Sequence, residues 1–374
     1  MNPQGRAKGD LAPRRRTRGI AMSPTVLRGL LCALAATLLV AGCGVRPLRD
    51  PQDVVPLAPV PVTDRAFEDR ILALDPEHVT PAQVKDILAR GPTPRIMLLH
   101  GGIYPVHLAM SSFGHFLVGM GYPEARIRDP FDGAWSHSPY EDAERLAGMV
   151  AFYYEKDGMV PILIGHSQGG MQAVKILYVL AGDYSPEVPV WNPLTDFAER
   201  RTTFIDPLTR REVPVVGGFR VPYVSVVGAG GAAFLLPNQW TMVGKLRTVP
   251  DTVEEFTGYA IDLDLWAWTL PGVKESRDFE NGGHVRVRNV VLPAGNNHVF
   301  IPAVDDLLDS AASRAYIDAY DPAAGVAPPR GSPENIEWAA DVWRMVKKYW
   351  VIEAQRLIRA RRTLQASAGA GKLE

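Results

Sequence analysis

The sequence predicts an α/β protein with a doubly wound, mostly parallel sheet, cap or lid insertions and a long C-terminal helix. Short apolar runs, each as long as a buried strand, alternate with segments whose apolar residues have helical spacing; this order is typical of βαβ units. The 374 residues are 47% hydrophobic, which is enough for one large core and unlike disordered, collagen or coiled-coil chains.

Glycine and proline mark the ends of most predicted elements. Strands are predicted at 95–99, 125–128 (weakly), 160–164, 223–227 and 285–292. Helices are predicted at 81–90, 106–120, 140–156 and 171–180. The long C-terminal helix is expected to begin with Ser332 as N-cap and Pro333 at its first position.

The first 42 residues have the pattern of a secretory signal peptide. Residues 1–29 carry seven Lys or Arg and one acid, and an apolar run at 30–41 ends at Gly42-Cys43. This run is shorter than the roughly 20 residues that a membrane-spanning helix needs. We therefore predict a signal peptide at 1–42.

The rest of the chain divides by composition. Residues 45–62 contain five prolines, which favours an extended tether, and the last ten residues are mostly small and polar. The predicted organisation is therefore a Pro-rich tether at 43–75, a folded domain at 76–364 and a disordered tail at 365–374.

The segment Val40-Ala41-Gly42-Cys43 resembles the lipobox of bacterial lipoproteins. The resemblance implies that Cys43 becomes the first mature residue and carries the acyl chains that hold the domain at a membrane. Gly44, rather than an aspartate, follows the cysteine, and by the same resemblance this favours the outer membrane, facing the periplasm. The alternatives are an ordinary secretory leader with an incidental cysteine, or an uncleaved anchor.

Charge and cysteine content exclude several classes of function. After residue 42 the chain has 33 basic and 40 acidic residues, a net charge of −7, which argues against nucleic acid as the main partner. Cys43 is then the one cysteine left, so neither an internal disulfide nor a thiolate metal cluster is expected. The histidines lack metal-ligand spacing, and no nucleotide-binding glycine loop follows a strand, so we predict no metal and no cofactor.

The strongest chemical motif is Gly165-His166-Ser167-Gln168-Gly169-Gly170, which directly follows the predicted strand at 160–164 and precedes a predicted helix. This is the G-x-S-x-G nucleophile elbow in the context that it requires, because a tight strand-to-helix turn projects the serine hydroxyl above the sheet. The flanking glycines are needed where the turn brings neighbouring backbone too close for a Cβ atom. A glycine-rich turn with a capping serine is the structural alternative.

On this motif, residues 94–310 resemble the α/β-hydrolase superfamily, in the form common among lipases and esterases. Leu98-Leu99-His100-Gly101-Gly102 is similar to the family's oxyanion strand end. The resemblance implies an oxyanion hole made by the backbone N–H groups of Gly102 and Gln168, with Ile103 as the alternative first donor, and a structural role for His100.

The resemblance also implies the order nucleophile, acid, histidine. Of the two histidines after Ser167, His298 follows a predicted strand, whereas His284 precedes it and should lie at the opposite edge of the sheet, so we predict His298 as the base. No carboxylate follows the strand at 223–227, where the family often has the acid. We therefore predict Asp264, with Asp262 as the alternative and then Asp251 and Asp278.

These residues predict a serine hydrolase that cleaves carboxylic esters of small molecules or lipids through an acyl-enzyme. An acyltransferase, thioesterase or amidase would use the same residues. A different class stays open, namely a catalytically inactive fold that serves as a scaffold in the cell envelope. The discriminating feature is a carboxylate within hydrogen-bond reach of His298.

Segments 183–222 and 231–284 are candidate cap or lid elements.

Overall fold

The computed structural model describes residues 63–370 except 271 and 294, together with 57 and 59–61. Seven α-helices are described in this part of the chain. They are α1 (Arg65–Leu72), α2 (Pro81–Asp86), α3 (Tyr104–Gly119), α4 (Ala143–Asp157), α5 (Gln168–Ala181), α6 (Ala311–Asp318) and α7 (Ile336–Ala370). Short 3-10 turns include Leu88–Arg90, Glu124–Arg126, Gly231–Leu235 and Pro237–Met242.

Five parallel strands form the central sheet, in the spatial order β1-β2-β7-β9-β11. They are β1 (Ile96–Leu99), β2 (Ile162–His166), β7 (Val221–Val227), β9 (Val253–Ile261) and β11 (Arg286–Leu292). The six remaining strands form two-stranded sheets, paired as β3 (Trp191–Asn192) with β4 (Phe197–Ala198), β5 (Thr203–Ile205) with β6 (Glu212–Pro214), and β8 (Thr248–Val249) with β10 (Glu280–Asn281).

Helices cover both faces of the sheet, because alternate strand residues feed two separate hydrophobic clusters. On one face Ile96, Leu98 and Ile162 join the apolar sides of α3 and α7; on the other Leu99 and Leu163 join those of α4 and α5. The predicted α/β class, the mostly parallel sheet and the long C-terminal helix are confirmed.

Helix α7 packs on one face of the sheet through large aromatic side chains and is also hydrogen-bonded to the sheet. Trp338, Trp343 and Trp350 are fully buried. The hydroxyl of Tyr259, in β9, donates a 2.8 Å hydrogen bond to the carboxylate of Asp341, in α7. The helix is therefore an integral layer of the fold.

The boundaries differ from the expectations in several places. Residues 125–128 lie at a 3-10 turn (Glu124–Arg126), and the prediction of a strand there is wrong. Helix α7 begins at Ile336, four residues after the expected cap Ser332.

The segment expected to be a tether contains α1, and the one expected to be a disordered tail contains the end of α7, which runs on to Ala370. The guanidinium of Arg362, in α7 just before the expected tail, binds the carboxylates of Glu68 and Asp69 at 2.8 and 2.7 Å, so α1 is joined to the C-terminal part of α7.

Of the two candidate cap segments, 183–222 folds into the two hairpins β3–β4 and β5–β6, which pack on α4. Segment 231–284 is not wholly a cap element, because it contains β9 of the central sheet as well as β8 and β10; its remaining parts are 3-10 turns and a loop at the carboxyl ends of β7 and β9. No described helix has an apolar stretch long enough to cross a bilayer.

Candidate active site

The carboxyl end of β2 carries the sharp turn that the sequence predicts. Strand β2 ends at His166, helix α5 begins at Gln168, and Ser167 between them has φ 55° and ψ −122°. Backbone with positive φ is costly for a residue that has a Cβ atom, and such strain is concentrated at functional sites. The turn holds the Ser167 hydroxyl above the sheet.

The glycines of the motif allow the close approach on which this turn depends. A Cβ atom on Gly165 would lie 2.5 Å from the carbonyl oxygen of Gly169, and one on Gly169 would lie 2.2 Å from that of Leu99. Both distances are shorter than any ordinary contact, so the start of α5 reaches the ends of β1 and β2 only without those side chains.

Three side chains from three strand ends form a continuous hydrogen-bonded chain. The Oγ atom of Ser167 lies 2.9 Å from Nε2 of His298, and Nδ1 of the same imidazole lies 2.5 Å from Oδ2 of Asp264. The side chain of His298 is 9% exposed and that of Asp264 is 1% exposed. The carboxylate orients the imidazole so that Nε2 faces the serine.

The loop after β9 holds Asp264 in a fixed position. Its second carboxylate oxygen, Oδ1, accepts hydrogen bonds from the backbone N–H groups of Trp266 and Ala267 at 2.9 and 3.0 Å. Its own N–H donates to Oγ1 of Thr269, whose hydroxyl donates to the carbonyl of Ile261 at the end of β9. The first two bonds fix the carboxylate itself, and the others fix the turn that aims it at His298.

Asp262, the alternative acid, points elsewhere. Its carboxylate lies 3.5 Å from the guanidinium of Arg277, and its side chain is 45% exposed. Asp278 also contacts Arg277, at 3.4 Å. Asp264 is therefore the carboxylate that meets His298.

His284 and Asp251 lie together at the amino ends of the strands, where the His284 N–H donates to Asp251 over 2.9 Å. This is the edge opposite to the elbow, as expected for His284. Neither residue belongs to the hydrogen-bonded chain of Ser167.

Gly228 explains why no carboxylate follows β7. It has φ 62°, and a Cβ atom on it would lie 2.9 Å from Cε1 of His298 and 3.5 Å from Oδ2 of Asp264. The space that a side chain would fill at this strand end is occupied by the histidine–aspartate pair, whose acid comes from the next strand, β9.

The backbone of the predicted oxyanion loop lies against the serine. A Cβ atom on Gly101 would be 3.0 Å from the Cβ of Ser167, and one on Gly102 would be 2.1 Å from Oε1 of Gln168. The carbonyl of Gly102 accepts a 3.1 Å hydrogen bond from the hydroxyl of Tyr140. Ile103 is the cap residue that precedes α3.

Gln168 is the first residue of α5, and the first N–H groups of a helix have no partner within the helix. Because α5 begins directly after Ser167, these backbone donors lie beside the serine, where they favour negative charge.

Two more histidines surround the site, and both are held neutral by burial. Burial lowers the pKa of His100 to about 4, and it lowers the pKa of His166 well below its usual value. His100 bonds to the carbonyl of Gly101 at 2.7 Å, so it shapes the loop. His166 donates through Nε2 to the backbone carbonyl of His298 at 2.6 Å.

Sequence reasoning missed His166, Gly228 and Thr269 as parts of the site. The position before a nucleophile in an elbow is variable, and a threonine five residues after an aspartate carries no pattern. The glycine-rich run at 228–231 was a visible signal, since consecutive glycines at a strand end indicate close approach.

Nothing in the described residues resembles a metal centre: no cluster of three or more His, Cys, Asp or Glu side chains is placed to hold an ion. Cys43, the predicted lipidation site, lies outside the described residues.

The sequence as a whole matches no known protein-family model and has no significant match among curated proteins.

Proposed function

We propose that this protein is a serine hydrolase with an α/β-hydrolase fold, and that it cleaves carboxylic esters through an acyl-enzyme. The observation that carries the proposal is the hydrogen-bonded chain from Ser167 through His298 to Asp264, with the serine on a strained turn between β2 and α5. The roles follow from the chemistry of these groups and their order in space.

In the first half of the reaction, the Ser167 oxygen attacks the ester carbonyl carbon while His298 accepts the hydroxyl proton at Nε2. The N–H groups of Gly102 and Gln168 stabilise the oxyanion that forms. The bond to the alcohol then breaks, His298 gives its proton to the departing oxygen, and the acyl group stays on Ser167. Asp264 stays ionised and stabilises the charged imidazole.

Water then replaces the alcohol. His298 accepts a proton from the water as its oxygen attacks the acyl carbonyl, and returns this proton to the Ser167 oxygen when the acyl bond breaks. The products are a carboxylic acid and the free enzyme. If another alcohol, a thiol or an amine took the place of water or of the leaving group, the same residues would transfer the acyl group or cleave a thioester or amide.

The alternative of an inactive scaffold rests on a missing acid. The 2.5 Å distance between His298 and Asp264 removes that reason, because the carboxylate expected of an active triad lies within hydrogen-bond reach. We therefore favour the enzyme.

Labelling with a fluorophosphonate probe tests the proposal directly, because the probe reacts with an activated serine. We expect the wild-type chain to be labelled, Ser167→Ala not to be labelled, and Ser367→Ala, which changes an exposed serine on α7, to be labelled like the wild type. Absence of labelling in folded wild-type protein would contradict the proposal. A panel of esters with increasing acyl length would then define the substrate.

We also propose that Cys43 is acylated and that the protein lies in the bacterial cell envelope, at the outer membrane facing the periplasm. This rests on the sequence resemblance around Cys43. In cells fed a clickable palmitate analogue, wild-type protein should acquire the label and Cys43→Ser should not.

A further inference from the structure

Six large apolar side chains project from α3 and from the loops after β9 and β11 at the candidate active site, and we call them the apolar rim. Each is at least half exposed: Tyr104, Leu108, Leu265, Trp266, Trp268 and Phe300. Exposing so much apolar surface in one place costs free energy in water, and on a soluble domain it marks a surface that binds something.

The rim lies directly around the serine. Tyr104 begins α3 two residues after Gly102, and Phe300 follows His298 by two residues. Trp266 stands over the base, with its ring centroid 6.4 Å from that of His298. Both sides of the opening to Ser167 are therefore apolar.

The loops that carry the rim also lack charge. Segments 100–123, 228–244, 263–273 and 293–304 contain a single Asp, Glu, Lys or Arg, which is the buried Asp264, although 22% of the whole chain is charged. Charged side chains return at the flanks, as in the ion pair of Asp262 with Arg277.

We propose that the apolar rim docks on the surface of an electrically neutral lipid layer, and that the substrate ester enters from that layer. The proposal rests on the proposed function and narrows its substrate class to water-insoluble lipid esters. Tyrosine and tryptophan are enriched where an apolar phase meets water, which suits the rim to the interface of a bilayer. The lack of basic residues means that anionic lipid is not what attracts it.

The chain that precedes the described domain is compatible with this contact. Between Cys43 and Leu57, the first described residue, there are 13 residues, which can span at most about 50 Å when fully extended. If Cys43 is anchored, the domain cannot leave the vicinity of the membrane, and a weak apolar contact is enough to orient the site toward it.

Flotation with phosphatidylcholine vesicles tests the docking. The chain beginning at Gly44 is suitable, because it keeps every described element of one compact unit and lacks the predicted acylation site. We expect it to float with the vesicles, and Leu265→Ser to reduce the partition coefficient about tenfold, as the loss of one buried leucine implies. Leu108→Ser, on a different element, should reduce it to a similar degree.

The matched control is Ile205→Ser. Ile205 is 47% exposed, and its backbone bonds to Glu155 near the end of α4, away from the carboxyl ends of the strands. This variant should float like the wild type, and a thermal transition for each variant shows that it is folded. Replacing one third of the lipid by an anionic lipid should not strengthen binding.

Three results would overturn the proposal: wild-type protein that stays unbound, binding that requires anionic lipid, or an equal loss in Ile205→Ser. A dimer in light scattering that Leu265→Ser converts to a monomer would assign the rim to a second copy of the chain instead. Ser167→Ala should float normally, so failure of the enzyme proposal and failure of the docking proposal are measured separately.

Discussion

Two histidines join the nucleophile elbow to the loop of the base: the Nε2–H group of His166 donates a 2.6 Å hydrogen bond to the backbone carbonyl oxygen of His298. His166 has no exposed surface and is neutral, because burial lowers its pKa well below the usual value. The bond fixes the backbone that carries the imidazole relative to the serine beside it. His166 is therefore a positioning residue for the proposed reaction.

Replacing His166 by phenylalanine keeps the ring and removes this hydrogen bond. We expect kcat for a soluble ester to fall about 100-fold with little change in KM, because a small displacement of a catalytic group costs rate more than binding. His166→Gln, which can donate from its amide, should restore part of kcat. An equal loss of kcat in both variants at unchanged thermal stability would contradict the role.

Asp264→Asn should lower kcat about 10³- to 10⁴-fold, because the amide no longer stabilises the correct tautomer or the charged form of His298. Asp262→Asn is the matched control two residues away, with its side chain directed to Arg277, and it should retain activity within about twofold, as is usual for exposed surface substitutions. Steady-state kinetics on one ester measures both. If Asp262→Asn lost more activity than Asp264→Asn, the assignment of the acid would be wrong.

Gly228→Ala should abolish most activity, because the new Cβ would lie 2.9 Å from Cε1 of His298 and push the imidazole from Ser167. Gly217→Ala supplies the control. Gly217 has a similar φ of 72°, but nothing lies within 4 Å of its Cβ position. Each variant should lose about 1 kcal/mol of stability from backbone strain, and only Gly228→Ala should lose turnover. Paired thermal melts and rate measurements separate the two effects.

Glu353 should make the stability depend on pH. Its side chain, in α7, is buried and accepts a 2.8 Å hydrogen bond from the N–H of Val160, just before β2. Burial raises the pKa of Glu353 to about 7. Between about pH 4.5 and 7, the folded state therefore keeps a proton on Glu353 that the unfolded state has released. The stabilisation from this group is complete below pH 4.5 and is lost as the pH rises through 7. The loss for this group is about 3 kcal/mol.

Glu353→Gln should remove that slope, since the amide does not titrate. Urea unfolding at pH 5, 6, 7 and 8 measures it. Arg356 contacts both Glu353, at 2.8 Å, and Glu254, at 2.9 Å; Glu254→Gln removes only the second contact and should keep the slope. If the free energy of unfolding of the wild type fell no more steeply over this range than that of Glu353→Gln, the shifted pKa would be contradicted.

The elements that sequence predicts best are those fixed by local pattern. Strands β1, β2 and β7 are short, fully buried and mostly apolar runs, and Ser167 and His298 each follow a strand end, so their convergence at one edge of a parallel sheet is predictable. Strand β9 was not assigned, because Glu254 and Glu255 interrupt its apolar pattern. Those carboxylates are paired with Arg356 and Lys348 of α7, a contact that only the fold reveals.

The choice between Asp262 and Asp264 was open for a related reason. Both follow β9, and what separates them is the turn in which Trp266 and Ala267 donate to Asp264. Likewise, Ser332 and Pro333 have the residue types of a helix start, but Asn335 bonds to the carbonyl of Ala303 in the loop after the base, and the helix begins after it. A local turn decided the first case, and a hydrogen bond to a residue distant in sequence decided the second.

The position of α7 in the fold determines when folding can finish. One face of the sheet is covered by α3 and α7 together, and the ribosome adds the α7 residues Trp338, Trp343 and Trp350 after every strand has been made. Until then that face lacks its α7 cover, so the core on that side of the sheet is incomplete while the rest of the chain is being made. If the protein is exported as proposed, this core is completed only when the last helix has followed the rest of the chain into the cell envelope.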